Sequence, residues 1–114
     1  MYDNWSDVSS AVRAATAADG RQFDEATIAN FNLFMAFAAG RWATPDDLGT
    51  GYWPTIWLDW SLKPARIQIE IHPDGYEFYQ FFEGRSDIRA FKPSPLIEFP
   101  TELAVLLNGL IAAN

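Results

Sequence analysis

The stretch Ile67–Tyr76, which reads IQIEIHPDGY, decides the fold. Isoleucine recurs at positions 67, 69 and 71 with polar side chains between, a pattern typical of a half-buried β-strand. The following His72-Pro73-Asp74-Gly75 supplies the proline, aspartate and glycine that a tight hairpin turn favours. We therefore predict an antiparallel hairpin with a three-residue loop, Pro73 to Gly75, that contains a glycine bulge.

This loop length predicts the register, with Glu70 opposite Phe78 and Ile69 opposite Tyr79. Opposed residues point to the same side of a sheet, so the sheet should have one apolar and one mixed face. The apolar face should collect Ile56, Leu58, Trp60, Ile67, Ile69, Ile71, Tyr79, Phe81 and Ile88. The mixed face should carry Trp57, Tyr76, Phe78, Phe82 and Phe91 beside Asp59, Arg66, Gln68, Glu70, Gln80 and Arg89.

The neighbouring segments extend the hairpin into a sheet. Alternating residues from position 56 to 61 predict a strand before it, and residues 76–82 and 87–91 predict the two strands after. We expect a four-stranded antiparallel meander. The polar stretch Thr44–Gly51 should be a loop, and Lys92-Pro93-Ser94-Pro95 should stop the sheet because proline donates no backbone hydrogen bond.

Helices are predicted on both sides of the meander. Apolar spacings of three and four indicate a helix over residues 5–18, capped by Ser6 or Asp3 and ended by Gly20. A second, more apolar helix should run from an Asp24 cap to Gly40. A closing helix should begin at Pro100 and pack on the sheet through a leucine-rich stripe. The predicted fold class is α+β, with residues 1–114 in a single domain.

The amino-acid composition excludes several classes of function. Fifteen acidic residues against eight basic ones give a formal charge of −7, which disfavours binding to nucleic acid or to an anionic membrane surface. The absence of cysteine and the presence of one histidine exclude thiolate catalysis, cysteine-ligated zinc and sites that need two imidazoles. We expect no cofactor and no metal. The first residues lack the features of a signal peptide, so the expected location is cytoplasmic.

His72 is the one candidate for acid–base catalysis. Glu70 or Asp74 could orient it as a general base, which keeps a small enzyme as an alternative function. Its place beside a hairpin turn, with no serine nucleophile at a motif spacing, instead favours an exposed turn histidine. We therefore predict no catalytic residues.

The mixed face has two interpretations that the sequence leaves open. Its aromatic rings could pack on one another and on the stems of Arg66 and Arg89, or lie beneath the first helix. They could instead form the core of a protein interface, because aromatic anchors beside arginine are typical of such surfaces. The binding residues under this hypothesis are Trp57, Arg66, Glu70, Tyr76, Phe78, Phe82 and Arg89.

The chain resembles a loose group of small bacterial proteins of unknown function. The shared features are Trp53-Pro54, a strand ending in Trp60, and the isoleucine-rich strand with the Asp74-Gly75 turn. The resemblance implies an α+β fold with an antiparallel sheet and carries no catalytic residues. Size and acidity are also similar to those of immunity proteins, antitoxins and phage inhibitors. We therefore expect a non-catalytic interaction protein with a protein partner or a second copy of itself; a third possibility is an acidic nucleic-acid mimic.

Overall fold

The alternating isoleucines form the centre of an antiparallel sheet that carries helices on one face. The computed structural model describes residues 2–92 and 98–113. Its elements are α1 (Trp5–Asp19), α2 (Glu25–Ala38), β1 (Asp47–Thr50), β2 (Ile56–Leu62), β3 (Ala65–His72), β4 (Gly75–Phe82), β5 (Arg85–Phe91) and α3 (Thr101–Ile111). The strands are ordered β1-β2-β3-β4-β5, and each pairs antiparallel with its neighbours. The α+β class is confirmed; the predicted sheet stop at Pro93-Ser94-Pro95 lies outside the described residues.

The sheet has five strands rather than the predicted four. Residues 47–50 pair with β2 within the segment that we expected to be a loop, with Leu48 opposite Leu58 and Gly49 opposite Trp57. This strand has only four residues and includes an aspartate and a glycine, both poor strand formers. Pairing with β2 therefore forms a strand that local sequence preference does not indicate.

The predicted register of the central hairpin is wrong by one residue. His72 pairs with Gly75, so the loop contains only Pro73 and Asp74, and Ile69 lies opposite Phe78. A shift of one residue moves every side chain of a strand to the other face. Tyr76 and Phe78 therefore lie in the core, at 1% and 0% exposure, whereas the face opposite the helices takes Tyr79 and Phe81.

The helix boundaries follow from capping. Asn4 caps α1 by accepting a hydrogen bond from the Asp7 backbone at 2.8 Å, so the predicted Ser6 or Asp3 cap is wrong. Asp24 caps α2 as predicted, accepting from the Ala26 backbone at 2.8 Å. The left-handed Gly20, with φ 79°, ends α1 as predicted.

The core lies between the helices and one face of the sheet, which we call the covered face. The helices contribute Val8, Val12, Phe31, Phe34, Leu103 and Leu107, and the strands contribute Ile56, Leu58, Trp60, Ile67, Ile69, Ile71, Tyr76 and Phe78. In the described chain, no side chain of β2–β5 that points to the other face, the open face, is buried. None of the helices in the described ranges is long and apolar enough to cross a membrane.

Candidate functional site

A groove lies at the end of the sheet where the β3–β4 hairpin turns. It has a volume of ≈ 830 Å³ and is open to solvent. Its walls come from the residues before α2, the loop that leads into β2, and the hairpin. The lining residues are Gln22, Phe23, Asp24, Glu25, Trp53, Pro54, Thr55, His72 and Pro73. They include two carboxylates and no lysine or arginine.

Two aromatic side chains project at the rim of this groove. Tyr52 is 86% exposed and Trp53 is 69% exposed, and their rings meet edge to face with centroids 5.4 Å apart. Large exposed aromatic residues are costly to leave in water and are enriched at binding hot spots. These two residues were absent from the binding residues predicted from sequence.

Arg21 holds the loop that carries this aromatic pair. Its guanidinium donates to the carbonyl oxygen of Tyr52, and to that of Gly51 at 2.6 Å. Asp19 accepts from the same guanidinium at 2.6 and 2.8 Å, and from Thr50 Oγ1 at 2.7 Å. The hydrogen bonds from Arg21 and Thr50 hold the pKa of Asp19 well below its usual range. The Tyr52 and Trp53 side chains are thus presented from a fixed backbone.

Asn30 of α2 anchors the hairpin on the other side of the groove. Its Nδ2 donates to the carbonyl oxygens of His72 at 2.8 Å and Pro73 at 3.2 Å. The Tyr76 hydroxyl donates to the Asn30 carbonyl oxygen at 2.7 Å, and burial raises the pKa of Tyr76. Both walls of the groove are therefore tied to the helical layer.

His72 lies beside two carboxylates at the edge of the open face. Its Nε2 is 2.7 Å from Glu77 Oε1 and 3.5 Å from Glu70 Oε1, and its side chain is only 23% exposed. The expectation of an exposed turn histidine is therefore wrong, because the two-residue turn brings Glu77 opposite Glu70 and next to the imidazole. We call Glu70, His72 and Glu77 the hairpin cluster.

Hydroxyl groups hold both carboxylates of the hairpin cluster. Thr55 Oγ1 donates to Glu70 Oε2 at 2.6 Å, and the Tyr79 hydroxyl donates to Glu77 Oε2 at 2.8 Å. Tyr79 also lies 3.2 Å from Glu70 Oε1. Burial, followed by the hydrogen bond to Glu77 and the nearby negative charges, raises the pKa of Tyr79, so its hydroxyl remains a donor at neutral pH.

The structure divides the residues that we predicted for a binding face. Trp57, Arg66 and Glu70 lie on the open face as expected, with Trp57 opposite Glu70. The placement of Tyr76 and Phe78 there is wrong, because both are buried in the core and cannot contact a partner.

Phe82 and Arg89 were also assigned to the mixed face, and that placement is wrong too. Phe82 lies four residues after Phe78 on β4, and Arg89 pairs directly with Phe78 across β4 and β5. Both side chains therefore lie on the helix side of the sheet. The same one-residue shift moves Ile88 from the predicted apolar face to the open face, where it is 59% exposed.

The open face is packed within itself. The Arg66 guanidinium lies 4.8 Å from the centre of the Phe81 ring, and Phe81 stacks with Tyr79. Trp57 lies against Gly49, where an added Cβ would be 2.6 Å from the indole ring. These contacts agree with the interpretation in which aromatic side chains of this face pack on one another, but Arg66 meets Phe81 through its guanidinium rather than its stem.

Comparisons of this chain with models of protein families, with curated proteins and with solved structures give no match. The resemblance noted from the sequence stays a prediction.

Proposed function

We propose that the chain is a non-catalytic cytoplasmic protein that binds a segment of a protein partner in the groove. The observation that carries this proposal is Trp53, which lines the groove and leaves 69% of its surface in water. Tryptophan at the centre of a contact commonly supplies a large share of the binding energy. Tyr52, packed edge to face on it, would extend the same contact.

The chemistry of the groove favours a partner segment that carries positive charge beside an apolar residue. Asp24 and Glu25 provide the charged part of the lining, and Phe23, Trp53 and Pro54 provide the apolar part. The net charge of −7 attracts a basic surface at long range. A lysine or arginine above the Trp53 ring would add a cation–π contact.

The groove is also held in shape before binding. Arg21 fixes the backbone of the aromatic loop, and Asn30 fixes the hairpin opposite. A preformed site loses less conformational entropy when the partner binds. The fixed walls of the groove therefore support a docking function there more strongly than exposure alone supports one for strand β5.

The alternative in which His72 is a general base is less well supported. His72 is among the groove-lining residues, but its Nε2 lies against the carboxylates of Glu77 and Glu70 and is shielded from solvent. A general base must reach the proton that it abstracts from a bound substrate. We therefore keep the interaction function as the proposal.

The test uses short synthetic peptides in which lysine or arginine flanks leucine or phenylalanine. A matched set replaces each basic residue with glutamate. Fluorescence anisotropy should show binding of the basic set only, and Trp53→Ala should weaken it by about tenfold or more. Glu25→Gln should weaken binding at low salt and have less effect at high salt. Glu25 is preferable to Asp24 here because Asp24 also caps α2.

Ile88→Ala is the matched control, since it also removes an exposed apolar side chain but lies on the open face. It should leave peptide binding unchanged. Binding that is lost in Ile88→Ala and retained in Trp53→Ala would assign the contact to the open face instead. Equal binding of the basic and glutamate peptides would also contradict the proposal. The melting temperatures of Trp53→Ala and Ile88→Ala should stay close to that of the wild type.

A further inference from the structure

We propose that Glu70, His72 and Glu77 bind one divalent transition-metal ion of the zinc class. Each residue offers one ligand atom, and these atoms all lie within 4.8 Å of one another. Glu70 and His72 are two apart on β3, and Glu77 lies directly opposite Glu70 on β4. Neighbouring strands thus bring three donors to one point of the open face.

The distances suit a tetrahedral ion. Zinc binds histidine nitrogen and carboxylate oxygen at about 2.0–2.2 Å, so neighbouring donors in a tetrahedral site lie about 3.3 Å apart. The two distances from His72 Nε2, 2.7 Å to Glu77 and 3.5 Å to Glu70, lie on either side of this value. The ligand oxygens of Glu70 and Glu77 lie within 4.8 Å of each other, so the two carboxylates would move toward the ion to complete the coordination.

The imidazole nitrogen itself points to a ligand. His72 Nε2 is shielded from solvent and, among the described residues, forms no hydrogen bond, although Glu77 Oε1 lies 2.7 Å from it. A buried polar atom without a partner is costly. A metal ion bound to Nε2 would satisfy it.

The charges of the cluster also favour a cation. Glu70 and Glu77 lie close together, and within the described chain no lysine or arginine forms an ion pair with either. An ion with two positive charges would neutralise both carboxylates. The competing arrangement is a protonated His72 that bridges them without metal.

The second layer of hydrogen bonds matches that of a metal site. Thr55 and Tyr79 donate to the Oε2 atoms of Glu70 and Glu77, and both Oε1 atoms lie near His72, with the Tyr79 hydroxyl also 3.2 Å from Glu70 Oε1. Such outer hydrogen bonds orient ligands in metalloproteins. A nitrogen and two oxygen donors suit zinc better than calcium or magnesium, which prefer oxygen alone. Three protein ligands leave a coordination position for water.

The experiment titrates the metal-free chain with Zn²⁺ by calorimetry and with Co²⁺ by visible absorption. One ion should bind per chain, and Co²⁺ should give the intense absorption of a tetrahedral site. His72→Gln and Glu77→Gln should each weaken binding by more than about tenfold. Glu102→Gln, which removes an exposed carboxylate on α3, should leave binding unchanged.

Tyr79→Phe keeps the ring and removes only the hydroxyl that holds Glu77, so it tests the site in a folded chain. It should weaken zinc binding by about 10–100-fold. Absence of saturable binding by the wild type would overturn the proposal in favour of the protonated His72 bridge. Equal binding by the wild type and His72→Gln, or equal losses in Glu102→Gln and Glu77→Gln, would show non-specific binding and overturn it as well.

Discussion

The covered and open faces of the sheet are built from the same strands, and the buried side chains of β2, β3 and β4 all lie on the covered face. On β4, Tyr76 and Phe78 have 1% and 0% exposure, whereas their neighbours Tyr79 and Phe81 are half-buried on the other side. The helices bury the covered face, and the open face keeps charged and hydroxyl groups among its aromatic rings. Aromatic content alone therefore does not assign a face of the sheet; the length of the β3–β4 turn assigns it.

The largest difference in folding stability between the two faces should appear when one aromatic ring is removed from each face in separate variants. Phe78→Ala should destabilise the fold by about 3–5 kcal/mol, because it leaves a cavity in the core. Phe81→Ala should cost about 1 kcal/mol, since it loses mainly its contacts with Arg66 and Tyr79. Urea denaturation of both variants measures these effects. Similar losses of stability would contradict the assignment of the two faces.

The second effect concerns the turn that sets the register. Gly75 has φ 146°, and an added Cβ would clash with the Phe91 carbonyl oxygen and lie 3.0 Å from Lys92 Cα. Gly75→Ala should therefore destabilise the fold by about 3 kcal/mol. Gly84 also has a positive φ, but among the described residues no neighbouring atom lies within 4 Å of its Cβ position. Gly84→Ala should cost about 1 kcal/mol, and denaturation curves that coincide would disprove the crowding at Gly75.

The smallest effect concerns a charge on the open face. Burial raises the pKa of Asp59; Arg66 opposes this shift, and Asp47 and Asp46 add to it. A carboxyl whose pKa is higher in the folded chain loses stability as the pH rises from its unfolded value through the folded one. Asp59→Asn removes that loss. The variant should therefore gain more stability over the wild type at pH 7 than at pH 4, and a larger advantage at pH 4 would contradict this.

The sequence predicted an element correctly where a single local pattern determined it. The alternating isoleucines of β3 require one buried side, so the placement of Ile67, Ile69 and Ile71 on the apolar face was predicted correctly. Asp24 begins α2 through a local hydrogen bond to the backbone, and Gly20 ends α1 through its left-handed backbone conformation. Both signals are local and depend on no distant residue.

The register of β4 could not be predicted because its sequence fits both alternatives. Aromatic residues occupy both parities, Tyr76 and Phe78 on one and Tyr79 and Phe81 on the other. The turn residues are compatible with a loop of two or of three residues. Packing against α2, with the Tyr76 hydroxyl bonded to Asn30, favours the observed choice.

The candidate site was missed for the same kind of reason. Glu77 joins His72 only in the observed register, so the sequence alone indicates no metal ligands there. Tyr52 and Trp53 project because Arg21, about thirty positions earlier, holds their loop by its carbonyl oxygens. Such long-range contacts leave no periodic pattern in the sequence.

The two-residue turn between β3 and β4 places Tyr76 and Phe78 in the core and leaves the open face and the groove free for binding. Hydroxyl-radical footprinting with mass spectrometry tests it within a single strand. We expect faster oxidation of Tyr79 and Phe81 than of Tyr76 and Phe78, and the fastest aromatic oxidation at Tyr52 and Trp53. Faster oxidation of Tyr76 and Phe78, as a three-residue loop would produce, would contradict it.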